Sequence, residues 1–415
     1  MFFINKNLRP AEAFSPINAD LTERRYDLDA LRGFAMLLGI VLHASIPFVG
    51  YYSVEEHESL MWGVSFIHGF RMQLFFLISG FFTMLLWRRY GLGRFIKHRM
   101  CRIALPLFVG VFTILPLLIG SFVLGNFFAE TFSKTPSLIQ EQSLQEESAD
   151  VWSFGHMWFL WFLLWLLIGF VVVVLIAQLM SRFGLKDRSL RNLSLGLLWL
   201  LPPLTFVFQL SMSELFAPPD TSDGLIPIFH VLAYYACFFA FGALIYNHKS
   251  HSKGLLIDRL CKHWVILLVI SLASFLLFHG IQFVEELPYE SQETSTWAVA
   301  SLAHVFFAWS ISLGLIGLFR RFMSVERFWV RYLSDASYWM YLAHLPLVIV
   351  AMGLVTLLDI SFLAQFFIIW ISVTVVLLFM YHYLIRYFLI GRMLNGRRTH
   401  EGDDIARSRL QAISK

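Results

Sequence analysis

Residues 62–125 read WGVSFIHGFRMQLFFLISGFFTMLLWRRYGLGRFIKHRMCRIALPLFVGVFTILPLLIGSFVLG. An apolar run ends at Trp87, six arginines and lysines crowd residues 88–102, and a second apolar run starts at Ile103. Each run exceeds the roughly 20 apolar residues that a helix needs to cross a hydrocarbon core. Short loops rich in Lys and Arg stay on the cytoplasmic side. The stretch therefore predicts two membrane helices joined by a cytoplasmic loop.

Working outward with the same window finds eight further apolar segments, near 31–50, 157–181, 192–211, 226–246, 264–283, 296–319, 337–358 and 362–385. The charges decide how these ten are threaded. Thirty of the 32 basic residues fall in the stretch through Arg32, in the loops near 88–102, 182–191, 249–262 and 320–331, and in the tail from Arg386. The intervening loops hold Lys134 and sixteen acids, among them Glu55, Glu56, Glu58, Glu146, Glu147, Asp220, Asp223, Glu285 and Glu286. A wrong helix count would put later basic loops outside and destroy this alternation. The expected fold is all-α: a polytopic integral membrane protein of about ten transmembrane helices with both termini cytoplasmic. Residues 1–30 form a cytoplasmic segment, 31–385 the membrane domain and 386–415 a basic cytoplasmic tail.

Composition agrees, with 58% hydrophobic and only 14% charged residues, against about 25% charged in a soluble domain. No removable secretory signal is expected at the N-terminus, and no soluble domain or internal repeat is evident. Cys101, Cys237 and Cys261 imply no disulfide framework, since two fall on the cytoplasmic side and one inside a helix. The longest outer loop, about 126–155, is polar and acidic and reads as a solvated loop, with a lid over an outward-facing site as the alternative.

Ionisable groups inside spans cost several kcal/mol and are functional candidates. In the first helix Arg32 and His43 are eleven residues apart, which returns them to one face. In the second, His68 and Ser79 share the same offset and Arg71 lies one turn beyond His68. Counted from opposite ends of their helices, His43 and Arg71 come out at matching depth. In the ninth, Ser337, Tyr341 and His344 lie on one face, with Pro346 just beyond as a source of a kink. Plainer readings stand beside these: a hydrogen-bonded core histidine at His43 or His344, a structural role for Arg71, an interfacial salt bridge between Asp29 and Arg32, and a small-residue packing patch at Ser79 and Gly80.

There is no P-loop, GxGxxG, HExxH or GxSxG pattern. No metal site is expected: His248 and His251 lack nearby carboxylates or thiols that would complete one. The basic loop 88–102 suits lipid headgroups or the phosphates of a cofactor. A buried imidazole, arginines at the same depth and at the inner mouth, and a basic inner face suggest an anionic ligand entering from the cytoplasm. His43 then suits a general base and Arg71 an oxyanion or carboxylate partner. A proton-coupled transporter or flippase would also place His and Arg at mid-membrane, although it favours inverted repeats and broken helices, which are not found.

The sequence resembles the membrane acyltransferase 3 family, whose first helix carries Arg and, after ten intervening residues, His, here Arg32-GFAMLLGIVL-His43 preceded by Asp29. The family's second helix has a basic residue, then FF, then SGF or SGY, similar to Arg71-MQ-LFFLI-Ser79-Gly80-Phe81. FIHGFRMQLFFLISGFF, HMWFLWFLL at His156 and YWMYLAHLPLVI at His344 look most like its glucan succinyltransferase branch. Many members have a Glu in a WSLxxE pattern near His156, where this chain has WFLWFLL. The resemblance implies an O-acyltransferase of the inner membrane that moves an acyl group, succinyl as the best guess, from cytoplasmic acyl-CoA to hydroxyls of an extracytoplasmic glycan. It implies no permanently bound cofactor, with acyl-CoA (succinyl-CoA) as donor substrate and membrane lipids and the glycan, but no nucleic acid, as partners. His43 and Arg71 become the catalytic candidates, and Arg32, Arg71, Ser79, Gly80 and Asp29 the acyl-CoA candidates. His68, Gln73, His156, Trp158, Tyr341 and His344 are the acceptor or pocket candidates.

Overall fold

A computed structural model describes residues 25–45, 54–132, 153–183, 187–213, 219–247, 249–250, 254–284, 294–355, 357–358 and 360–395. It is almost wholly helical. α1 (Tyr26–Ser45), α2 (Val54–Arg99) and α3 (Leu105–Phe132) are followed by α4 (Trp158–Arg182), α5 (Asp187–Gln209) and α6 (Phe229–Asn247). A two-residue ladder, β1 (Lys249–Ser250) with β2 (Gly254–Leu255), and the short α7 (Leu256–Leu260) lead to α8 (Trp264–Val284). α9 (Thr294–Phe322), α10 (Phe328–Val355), α11 (Phe362–Met380) and the short α12 (Leu389–Asn395) complete the chain.

Among the described residues, eight helical stretches are long and apolar enough to cross a membrane, and one, Leu60–Gly125, is 66 residues long. That stretch is two passes, because it reverses. Gly91 has φ 73° and ψ 169°, a backbone open to glycine and costly for other residues. Beyond it, Arg99 Nη2 donates to Thr83 Oγ1 at 3.0 Å, although sixteen residues of straight helix would separate the two by roughly 24 Å. α2 thus overruns its expected end at Trp87 because the helical backbone continues through the basic loop to the break. The remaining expected pass, near 192–211, falls on α5, whose apolar part Gly196–Gln209 is shorter than a membrane-crossing length. The long helix α10 runs unbroken through Pro346.

Each end of the bundle gathers the loops that the charge pattern assigned to one side. At one end Arg25 bridges Asp27 at 2.7 Å and Asp258 at 3.1 Å, and Tyr26 donates to Glu326 at 3.1 Å. Arg102 donates to the Leu394 carbonyl there, and Tyr338 donates to the Arg102 carbonyl at 2.8 Å. At the other end Phe154 N–H donates to the Asp223 carbonyl at 2.8 Å and Trp161 Nε1 to the Leu225 carbonyl at 3.1 Å. Most of the outer loop 126–155, with its lid alternative, and also His248 and His251, lie outside the described residues.

Helix packing explains which groups meet in the middle. α2 lies on α6 with Gly80 facing Phe239 and Gly242 facing Leu77, so that a side chain at either glycine would overlap the opposite backbone. Small residues of this kind let membrane helices approach closely. Gly353 of α10 meets Gly125 of α3 in the same manner. α1 is held between α10 and α2. The outer faces of α3, α4 and α11 leave Phe108, Phe112, Val173, Ile176, Val375 and Phe379 exposed, an apolar perimeter suited to lipid. Cys237 and Cys261 are buried and Cys101 is exposed, all as free thiols.

Candidate functional site

The polar groups that the sequence scatters over four helices meet where α1, α2, α4 and α10 converge. The His43 ring lies 5.0 Å, centroid to centroid, from that of His344, and the His156 ring lies 5.3 Å from that of His344. Arg71 reaches them from α2. Its Nη1 occupies the space above Gly39, one turn before His43, so closely that a β-carbon at Gly39 would sit 2.6 Å away. Only a glycine leaves that slot open. The expected depth match of His43 and Arg71 therefore holds in three dimensions, and His68 is also within electrostatic range of His43. His43, Arg71 and Tyr341 are half-buried, whereas His156 and His344 are fully buried.

The backbone of α10 orients two of these imidazoles. His344 Nδ1 faces its own helix, 2.7 Å from the Tyr341 carbonyl and 3.1 Å from that of Met340. His156 Nε2 lies 3.1 Å from the Leu342 carbonyl. That carbonyl is four residues before Pro346, which has no N–H to return to it. The proline thus frees an acceptor inside the membrane, and the histidine takes it. Tyr341 closes the arrangement by donating its hydroxyl to the His156 carbonyl at 3.0 Å. Ser337, on the same face, donates to the Ser334 carbonyl at 2.7 Å.

Several buried polar atoms around this point have no hydrogen-bond partner among the described residues: Arg71 Nε, Tyr235 Oη, His156 Nδ1 and His344 Nε2. Gln73 lies on a different face of α2 and donates through Nε2 to the Gly69 carbonyl at 2.8 Å and to the Tyr234 hydroxyl at 3.4 Å. Buried polar groups are paired in the great majority of cases, so this concentration of open valences marks a place for a polar ligand. Among the described residues no three His, Cys, Asp or Glu are grouped so as to hold a metal ion.

Toward the basic end, Arg32 donates to Ser334 Oγ at 3.1 Å and lies 3.6 Å from Asp29. Arg99 and Arg102 are within electrostatic range of it, so three arginines gather at the inner mouth. Ser79 is half-buried, and Gly80 sits in the backbone contact between α2 and α6, the packing alternative left open by the sequence. Trp158 packs its indole 5.4 Å from the Tyr235 ring. Tyr235 was missed by the sequence reading. It is fully buried, within electrostatic range of Arg71, and carries no charge that would have singled it out in an apolar span. Leu342 was equally invisible, because its contribution is a main-chain carbonyl.

The architecture and the buried cluster define a multi-pass membrane protein with a site in its interior. The chain belongs to the family described as "Acyltransferase domain", which matches residues 25–381, and it is therefore a membrane acyltransferase. It is similar to "Glucans biosynthesis protein C" of Salmonella paratyphi B, 26% identical over 335 residues covering 78% of this chain and 82% of the relative. The protein of the same name from Escherichia coli K12 is 26% identical over 338 residues, with the same coverage. No solved structure matches the chain.

Proposed function

We propose that this acyltransferase resides in the inner membrane and moves a succinyl group from cytoplasmic succinyl-CoA to hydroxyls of glucans on the far side. The observation that carries the reading is the His43, Arg71, His156 and His344 cluster, buried between a basic end and an acidic end and still holding unpartnered polar atoms. The relatives' name points to glucans. The three arginines at the inner mouth suit the phosphates of a CoA donor. Arg71, which pairs with no carboxylate among the described residues, suits a thioester oxygen or the free carboxylate of a dicarboxylic acyl group.

In this reading His43 is the general base. It takes the proton of a glucan hydroxyl as the oxygen attacks the thioester carbonyl carbon, and the oxyanion of the tetrahedral intermediate is held by Arg71. Collapse breaks the carbon–sulfur bond, and the proton held by His43 passes to the leaving CoA thiolate. An ester and free CoA result, with His43 returned to its neutral form.

The test uses a host lacking its own glucan acyltransferase, with wild type, His43→Ala or no protein expressed, followed by mass and charge analysis of the periplasmic glucans. Succinyl mass and added negative charge with wild type alone are expected. Unchanged glucans despite full membrane expression would overturn the glucan assignment.

A further inference from the structure

Two of the open valences in the site are of a kind that the thioester of the donor cannot satisfy. A neutral imidazole has one N–H and one lone pair, and the partner of one nitrogen decides which is which. Carbonyl oxygens can only accept. His344 Nδ1, facing two carbonyls, therefore carries its proton, and Nε2 holds the lone pair. His156 Nε2, facing the Leu342 carbonyl, carries its proton, and Nδ1 holds the lone pair. Both lone-pair nitrogens are buried without a partner among the described residues, on rings 5.3 Å apart, with the His344 ring beside His43. The reacting end of an acyl-CoA, a thioester with or without a carboxylate, offers no hydrogen to them. It needs donors, and Arg71 Nε and Tyr235 Oη are two open donors among the described residues.

We infer that His156 Nδ1 and His344 Nε2 form an acceptor subsite that receives two hydroxyl groups of the carbohydrate, orienting one of its hydroxyls toward His43. Pro346 is its positioning residue, because the carbonyl it releases at Leu342 is what turns the lone pair of His156 into the site. The inference rests on the proposed transfer to a glycan and adds which atoms recognise the acceptor.

The test uses the full-length protein in nanodiscs, with succinyl-CoA and unsubstituted periplasmic glucan purified from a host lacking glucan acyltransferase, and reads KM for each substrate and kcat. His344→Asn keeps an amide donor for the α10 carbonyls and loses the outer lone pair. His344→Gln places an amide oxygen near the Nε2 position and gives up the tie to the backbone. The subsite predicts a glucan KM raised about tenfold or more for Asn, a smaller rise for Gln, and little change in the KM for succinyl-CoA. Pro346→Ala returns an N–H to Leu342 and competes with His156. Because it removes a helix-breaking residue, it remains folded, and it raises the glucan KM in the same direction.

A glucan KM unchanged in both His344→Asn and Pro346→Ala overturns the subsite and leaves the proposed function standing. So does the reverse order, with Gln impaired and Asn normal, which would make His344 only an anchor within its helix. Wild type that transfers to no glucan overturns the proposed function and takes the subsite with it. Should neither His344 variant yield folded protein, Pro346→Ala alone decides.

Discussion

His43 and Arg71 are brought together through a residue with no side chain. The guanidinium fills the space above Gly39, one turn from the imidazole. With His43 as general base, His43→Ala is expected to lower kcat for glucan acylation by about 10²–10⁴-fold, with the protein's melting temperature in detergent preserved, since the ring is only half-buried. Gly39→Ala puts a β-carbon 2.6 Å from Arg71 Nη1, and the guanidinium must move. Displacement of a reacting group by about 1 Å costs on the order of 10²-fold. Gly39→Ala is therefore expected to lose most of its turnover while remaining folded, which the same assay and a thermal melt will check. Both ionisable residues were legible as candidates because such groups are rare in spans. Gly39 was not, because one glycine in an apolar helix carries no visible signal until its neighbour is known.

At the scale of the helix, α2 does two jobs on two faces. One carries Arg71 to the site, and the other presents Gly80 to the backbone of α6, where Gly242 answers it. Gly242→Leu would push these helices apart. Overpacking costs about 1–3 kcal/mol, so a lower melting temperature in detergent and a reduced folded yield are expected, with rates falling only as far as the folded fraction does. The passes themselves were readable from apolar length. Their ends were not always so: α2 continues through the basic loop to Gly91 and beyond, because Arg and Lys are good helix formers and only the backbone at Gly91 interrupts them. In α10, Pro346 looked like a source of bending. Its consequence is chemical, a released carbonyl that His156 captures.

Across the whole molecule, the described parts of the basic loops gather at one end and those of the acidic loops at the other, an arrangement that under the proposed function would let a donor and an acceptor on opposite sides of a membrane meet at one interior site. The orientation predicts thiol reactivity. Cys101 is exposed between Arg99 and Arg102, while Cys237 and Cys261 are buried. A membrane-impermeant maleimide should label one thiol per folded chain in inside-out vesicles and none in right-side-out vesicles, and Cys101→Ser should abolish the labelling. Labelling from the outer side would reverse the assigned topology.

What the sequence determined by itself is the set of properties that summed composition and charge decide: apolar segments long enough to span, and loops whose charge selects a side of the membrane. The motif pair on the first two helices added the acyltransferase family. Only the tertiary structure decided which polar atoms face one another. Hydrogen-bond direction depends on the partner, and here the partners are main-chain carbonyls and an empty space above a glycine, neither of which is written in side-chain types. The meeting of His156, in the turn Gly155–Met157 that leads into α4, with the Leu342 carbonyl of α10 joins positions 186 residues apart. It exists because helix packing brings them within hydrogen-bond reach.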